Sequence, residues 1–149
     1  MSAFQGFGEL RHARDLVEKL RFDLARIESC QYNQYAAFDF FVTAEHIVDW
    51  LYPNDQLQRT LLRSSEPLLG IVSHIANGAK HFATKNCRHK SVAGIEKDRY
   101  VEAGYVEEGY FEDMLLVHLA PDETKRIGVS SIDARSLARQ VLEFWEART

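Results

Sequence analysis

From Glu9 to Glu28 apolar residues fall at Leu10, Ala13, Leu16, Val17, Leu20, Leu24 and Ile27. Steps of three and four, with charged side chains between them and no Gly or Pro inside, predict an amphipathic helix. A second helix is predicted from about Asn33 to Leu51, stopping ahead of Pro53 because the residue before a proline is pushed out of the α region. Its core face is Ala37, Phe40, Ala44, Ile47, Val48 and Leu51. A second stripe, Tyr35, Asp39, Thr43, His46 and Trp50, is polar and aromatic, which suggests a helix buried on more than one side.

The segment from Asp55 to Arg63 is compatible with a short helix. Ser64-Ser65-Glu66-Pro67 then reads as a helix start, since Ser caps free N–H groups, Glu suits the positive end of the dipole and Pro is tolerated in a first turn. That helix is expected to reach Phe82, with Leu68, Ile71, Val72, Ile75, Ala79 and Phe82 inward. Gly70, His74, Asn77 and His81 lie along its other flank. Periodicity is lost from Ala83 to Arg99, where a loop is expected, and Gly104-Tyr105 and Gly109-Tyr110 suggest irregular extended chain or a bulged strand. Met114–Leu119 with Arg126-Ile127-Gly128-Val129 reads as a β-hairpin. Ser130 or Ser131 with Asp133 is expected to cap a last helix, with Leu137, Val141, Leu142 and Trp145 on its core side. The sum is a mainly α fold: one domain over residues 1–149, an antiparallel helical bundle with a small β-hairpin before the last helix.

Composition agrees with this picture. Of 149 residues, 46% are hydrophobic and 27% charged, as in globular rather than disordered or fibrous chains. A chain of about this length buries roughly 70% of its unfolded surface and needs neither disulfide nor structural metal. Cys30 and Cys87 are far apart and outside any CxxC pattern, which fits free thiols in a reducing cytosol. No signal-peptide pattern opens the sequence. Its longest stretches without Lys, Arg, Asp or Glu run to about a dozen residues, short of the roughly 20 a membrane span needs. A cytoplasmic protein with no membrane partner is expected. The net charge of −4 hides an asymmetry: Lys80–Arg99 holds six Lys and Arg against Glu96 and Asp98, whereas Val101–Asp113 holds five acidic residues and no basic one.

Candidate chemistry gathers on the second and third long helices, in Asp39, His46, Asp49, His74, Asn77, Lys80 and His81. Imidazole with carboxylate serves proton transfer near neutral pH and also binds divalent metals. His46 and Asp49, at i and i+3, can share a helix face. His74 and His81 are two turns apart, roughly 10 Å along the axis, so one straight helix cannot bring both to one ion. HExxH is absent and no cofactor motif is present. The plainer reading stands beside these: polar groups between packed helices usually bond each other or the backbone. Asn77, Lys80 and His81 end a helix beside the basic segment, where a bound anion or a nucleic-acid backbone is within reach. Trp50 reads as a packing anchor.

Two stretches, Thr43-Ala44-Glu45-His46-Ile47-Val48-Asp49-Trp50 and Ile75-Ala76-Asn77-Gly78-Ala79-Lys80-His81-Phe82, resemble small bacterial helical proteins with TAxHxxDW and ANGxKHF segments. The helical layout and the second stretch are also similar to HEPN domains. Those are helical bundles, often dimeric, and many are metal-independent ribonucleases of toxin–antitoxin or phage-defence systems. Their signature is an Arg, frequently followed by Asn, then a His after four to six intervening residues. The resemblance puts Asn77 and His81 at the Asn and His places and Ala76 where the Arg belongs. The family's Arg stabilises phosphorane-like charge and its His acts on the 2′-hydroxyl or leaving group. Lys80 is the nearest cation here, without the bidentate fork that suits phosphate.

The resemblance therefore implies a protein that binds or cleaves RNA or a nucleotide. His81 would be the acid/base, Asn77 and Lys80 would orient phosphate, and His46 and Asp49 would complete or support the site. Two alternatives remain open at this point. One is a noncatalytic interaction or regulatory module acting as a homodimer or on a protein partner. The other is a bundle metal site formed by Asp39, His46, Asp49 and His74.

Overall fold

Local capping decides where the helices begin. The Asp15 carboxylate accepts the backbone N–H groups of Arg11 and His12 at 2.9 and 2.8 Å, while Phe7 and Leu10 exchange backbone hydrogen bonds with each other. The first helix, α1, therefore spans Ala13–Ser29 rather than starting at Glu9. Asn33 caps α2 (Gln34–Leu51) by accepting from Ala36 N at 3.0 Å. Asp55 caps α3 (Gln56–Ser65) by accepting from Gln58 N at 3.0 Å. Pro67 opens α4 (Pro67–His81). The structure is a computed structural model that describes residues 5–30, 33–81, 91–100 and 112–149.

Three sets of contacts between helices fix their directions. Arg26 meets Asp39 and Lys19 meets Thr43, so α2 runs antiparallel to α1. The Glu45 carboxylate bonds Ser73, whereas Gly78 shares a cleft with Gln34 and Phe38, so α4 runs antiparallel to α2. Arg21 meets Glu146 and Arg139 meets Glu28, which sets the last helix, α6 (Ala134–Glu146), antiparallel to α1. The core between them holds Leu20, Ile27, Phe40, Phe41, Ile47, Leu69, Ile71, Leu137 and Trp145. Phe40 and Phe41 pack edge to face at 5.3 Å. Burying large aromatic and aliphatic side chains of this kind is worth about 1.5–3 kcal/mol each. Among the described residues no helix is long and apolar enough to cross a membrane.

The β region departs from expectation in two ways. Val92–Tyr100, which falls within the expected loop up to Arg99, is a strand, β1. It pairs antiparallel with β2 (Glu112–Leu119), with Ile95 opposite Val117 and Lys97 opposite Leu115. The expected hairpin partner, Arg126–Val129, is not a strand. Pro121–Ile127 forms a helix, α5, with Pro in its first turn, Asp122 and Glu123 at its start, Lys125 and Arg126 at its end, and Gly128 closing it at φ 90°. Those are the residues a helix dipole and a left-handed C-cap favour. The second partner of β2 is β3 (Ser131–Asp133) instead, giving a three-stranded sheet in the order β1-β2-β3. Asp133 then caps α6, accepting from Ser136 N at 2.8 Å. The Gly-Tyr steps and Phe82–Lys90 lie outside the described residues.

Candidate functional site

The polar stripe of α2 divides between two neighbours. Toward α1, Asp39 accepts from Arg26 at 2.9 Å and Thr43 accepts from Lys19 at 2.9 Å. Both cations also hold Asp23, Lys19 at 2.6 Å and Arg26 at 3.0 Å. Asp23 is buried, with 1% of its surface exposed, so it ties the helix pair together. Toward α3, Asp49 lies 3.1 Å from Arg63 Nη2 and 3.6 Å from Arg59 Nε. His46, between these two systems, is exposed.

Beside His46 stands a residue the sequence reading missed. Glu45 is largely buried, its carboxylate 2.7 Å from Arg63 Nη2 and bonded to the Ser73 hydroxyl. Burial pushes its carboxyl up to about 7; Arg63 and Ser73 oppose that rise, and the neighbouring Asp49 charge adds to it. The rise is physically reasonable because one Arg63 nitrogen serves both carboxylates, and Arg63 Nε is buried with no hydrogen-bond partner among the described residues. A guanidinium used this way lacks the parallel pair of bonds that makes Arg–carboxylate contacts strong. The signal was present in the sequence: Glu45 and Asp49 are spaced i, i+4, and so are Arg59 and Arg63 on the following helix. Equal spacings on adjacent helices allow two carboxylates to meet two guanidinium groups.

On α4 the four singled-out residues have different surroundings. His74 Nδ1 accepts the backbone N–H groups of Ser91 at 3.1 Å and Val92 at 2.9 Å. A ring nitrogen that accepts carries no proton, so a neutral His74 ring is protonated at Nε2. Ser91 in turn donates to Glu123 Oε1 at 3.3 Å, and Arg126 holds the same oxygen at 3.1 Å. His74 therefore ties α4 to the start of β1 and, through Ser91, to α5. Asn77 donates through Nδ2 to the Ser73 carbonyl at 2.8 Å. Lys80 and His81 are exposed in the last turn. Ala76 is buried.

The two halves of the expected constellation are well apart. With α2 and α4 antiparallel, His81 stands level with the start of α2. The dozen residues from there to His46 correspond to roughly 18 Å along the axis. Among the described residues no three His, Cys, Asp or Glu side chains gather as metal ligands.

Between the first half of α2, the second half of α4 and strands β1 and β2 lies an open cleft of about 750 Å³. Phe38, Phe41, Ile75, Ile95, Leu115 and Val117 supply most of its apolar wall, and Gln34, His74 and Lys97 are among its polar residues. That volume falls inside the roughly 300–1,000 Å³ of small-molecule sites, which are mostly apolar with a few polar groups. The exposed end of α4 follows directly on Gly78 and Ala79, which line the cleft. No protein family, curated protein or solved structure matches the chain.

Proposed function

We propose that this chain is a HEPN-like helical protein that binds RNA or a nucleotide, with the C-terminal turn of α4 as its phosphate-facing end. The observation that carries the reading is the placement of exposed Lys80 and His81 immediately beyond a cleft of ligand size. Phosphate contacts by cations supply most non-specific nucleic-acid affinity, and the basic sequence from Lys80 to Arg99 begins at this turn. Binding is favoured over cleavage. Ala76 is buried where the family carries its Arg, and Asn77 is engaged by the Ser73 carbonyl. In this reading His46 and Asp49 support the fold from the far end of α2, and a toxin–antitoxin or phage-defence setting suits the function.

A second reading, a homodimeric interaction module, has its own observation. Arg59, Leu62 and Arg63 of α3 turn inward, whereas Leu57 and Leu61 on its opposite side are 67% and 52% exposed.

One titration tests both. Fluorescence anisotropy with a labelled single-stranded oligoribonucleotide at several salt concentrations, run beside light scattering, should give binding that weakens steeply with salt. Replacing Lys80 and His81 together by Ala should weaken it about tenfold and flatten the salt slope by about one for each phosphate no longer neutralised. Absence of salt-sensitive binding by a stable dimer would overturn the first reading in favour of the second.

A further inference from the structure

Gly78 lies within α4, where Gly is about 1 kcal/mol less favourable than Ala. Neither usual reason for a glycine applies to it. Its φ is not positive, and a Cβ built on it meets nothing within 4 Å. It follows His74 by four positions and precedes His81 by three, so the three share one helix face, and both His74 and Gly78 line the cleft. The missing side chain therefore keeps a slot open against the helix backbone at a cost to the helix.

The α2 wall of the same cleft supplies aromatic rings. Phe38 and Phe41, at i and i+3 on α2, both line the cleft, and Phe38 is 52% exposed there. An exposed aromatic ring and bare helix backbone lining one cleft suit a planar ring, and base–aromatic stacking tolerates any base because each has a π-face. Exposed Lys80 and His81 at the end of α4 suit an anionic substituent on that ring. Lys97, in register with Leu115, stands on the cleft side of β1. The lining carboxylate Glu96 belongs to the sheet's other face, where it pairs with His118 at 2.7 Å.

We propose that the cleft between α2, α4 and β1 is a slot for one unpaired nucleobase, seated between Phe38 and the Gly78 backbone, with its phosphate toward the exposed end of α4. This deepens the nucleotide-binding reading above and rests on it. The base can come from a free nucleotide or from a single-stranded RNA, and the slot chemistry is the same for both.

The experiment uses the full chain and three probes: adenosine monophosphate, a six-residue adenine oligoribonucleotide, and pyrophosphate, which has no base. Isothermal titration calorimetry measures each against wild type, Gly78→Ala, Gly78→Leu and Phe38→Ala, and thermal unfolding is recorded for every variant. Gly78→Ala should raise Tm by about 2–4 °C, because the apo chain has room for the methyl group, while weakening a base-bearing probe. Gly78→Leu and Phe38→Ala should weaken that probe about tenfold or more and leave pyrophosphate unchanged. A response from adenosine monophosphate identifies a free-nucleotide site, and a response from the oligonucleotide alone identifies an RNA site. The slot is overturned if Gly78→Ala lowers Tm, or if base-bearing probes bind all four proteins equally. In the latter case the phosphate-binding reading survives; if neither RNA nor nucleotide binds wild type, both fall.

Discussion

Glu45→Gln should make the stability of this protein less sensitive to alkali, and the size of the effect follows from where Glu45 sits. Burial raises its carboxyl from 4.5 to about 7 in the folded chain, against the pull of Arg63 and Ser73. The folded state thus binds that proton more tightly than the unfolded state does. Glu45 contributes its full stability below about pH 4.5, and the contribution is lost as pH rises to about 7. Some 2.5 units at 1.36 kcal/mol per unit correspond to about 3 kcal/mol. Gln keeps the shape and can still bond Arg63 and Ser73 but does not titrate. Urea unfolding of both proteins between pH 4.5 and 8 isolates the effect as a difference, since other groups titrate alike in each. The variant should gain on wild type by about 3 kcal/mol across that window, and Asp49→Asn should shrink the gain by removing the neighbouring charge. A difference that is flat, or that shifts in favour of wild type as pH rises, would show that the 2.7 Å contact with Arg63 outweighs burial.

Two further outcomes test the packing. Asp23→Ala should cost about 2–3 kcal/mol by urea unfolding: two charge-assisted bonds disappear, but Lys19 and Arg26 are more than a third exposed and can turn to water. A cost below about 0.5 kcal/mol would reduce the network to an exposed ion pair of ordinary weakness. Trp145 is fully buried, and its Nε1 has no hydrogen-bond partner among the described residues. Trp145→Ala should therefore cost about 3–5 kcal/mol and Trp145→Phe clearly less, and equal costs for the two would mean that the indole nitrogen is bonded after all.

Helices were readable wherever one face met a single core. In α6, Leu137, Val141, Leu142 and Trp145 are all buried as their spacing implies, and Asp133 caps it as expected. In α2 the reading was coarser. Ala36, Phe41 and Thr43 are buried besides the expected face, because α1, α4 and α6 cover it from several sides. The strand β1 could not be seen from its own sequence. Its Glu96-Lys97-Asp98-Arg99 core has no apolar alternation, and pairing with β2 overrides the local pattern. Pro121–Ile127 was readable as a helix from its own caps, yet the β-branched and apolar Ile127 and Val129 drew it toward a hairpin that the αL turn at Gly128 prevents.

Chemistry was harder to place than fold because helix periodicity assigns a side chain to a face, not to the neighbour it meets there. Asp39, Thr43 and His46 form one stripe in sequence with Asp49 at its edge, but α1 takes the first two and α3 takes Asp49. The carboxylate with the altered acidity, Glu45, lies outside that stripe. What raises it is first its burial where α3 and α4 meet α2, to which the Asp49 charge on its own helix adds. On α4 the same reasoning separates residues that are adjacent in sequence. His74 and Asn77 are engaged by backbone groups, whereas Gly78 leaves space unfilled and Lys80 and His81 face outward. On the proposed reading, the helical glycine and the exposed Phe38 that line one cleft are where a ligand would seat, next to the exposed last turn of α4 and away from the Glu45 cluster.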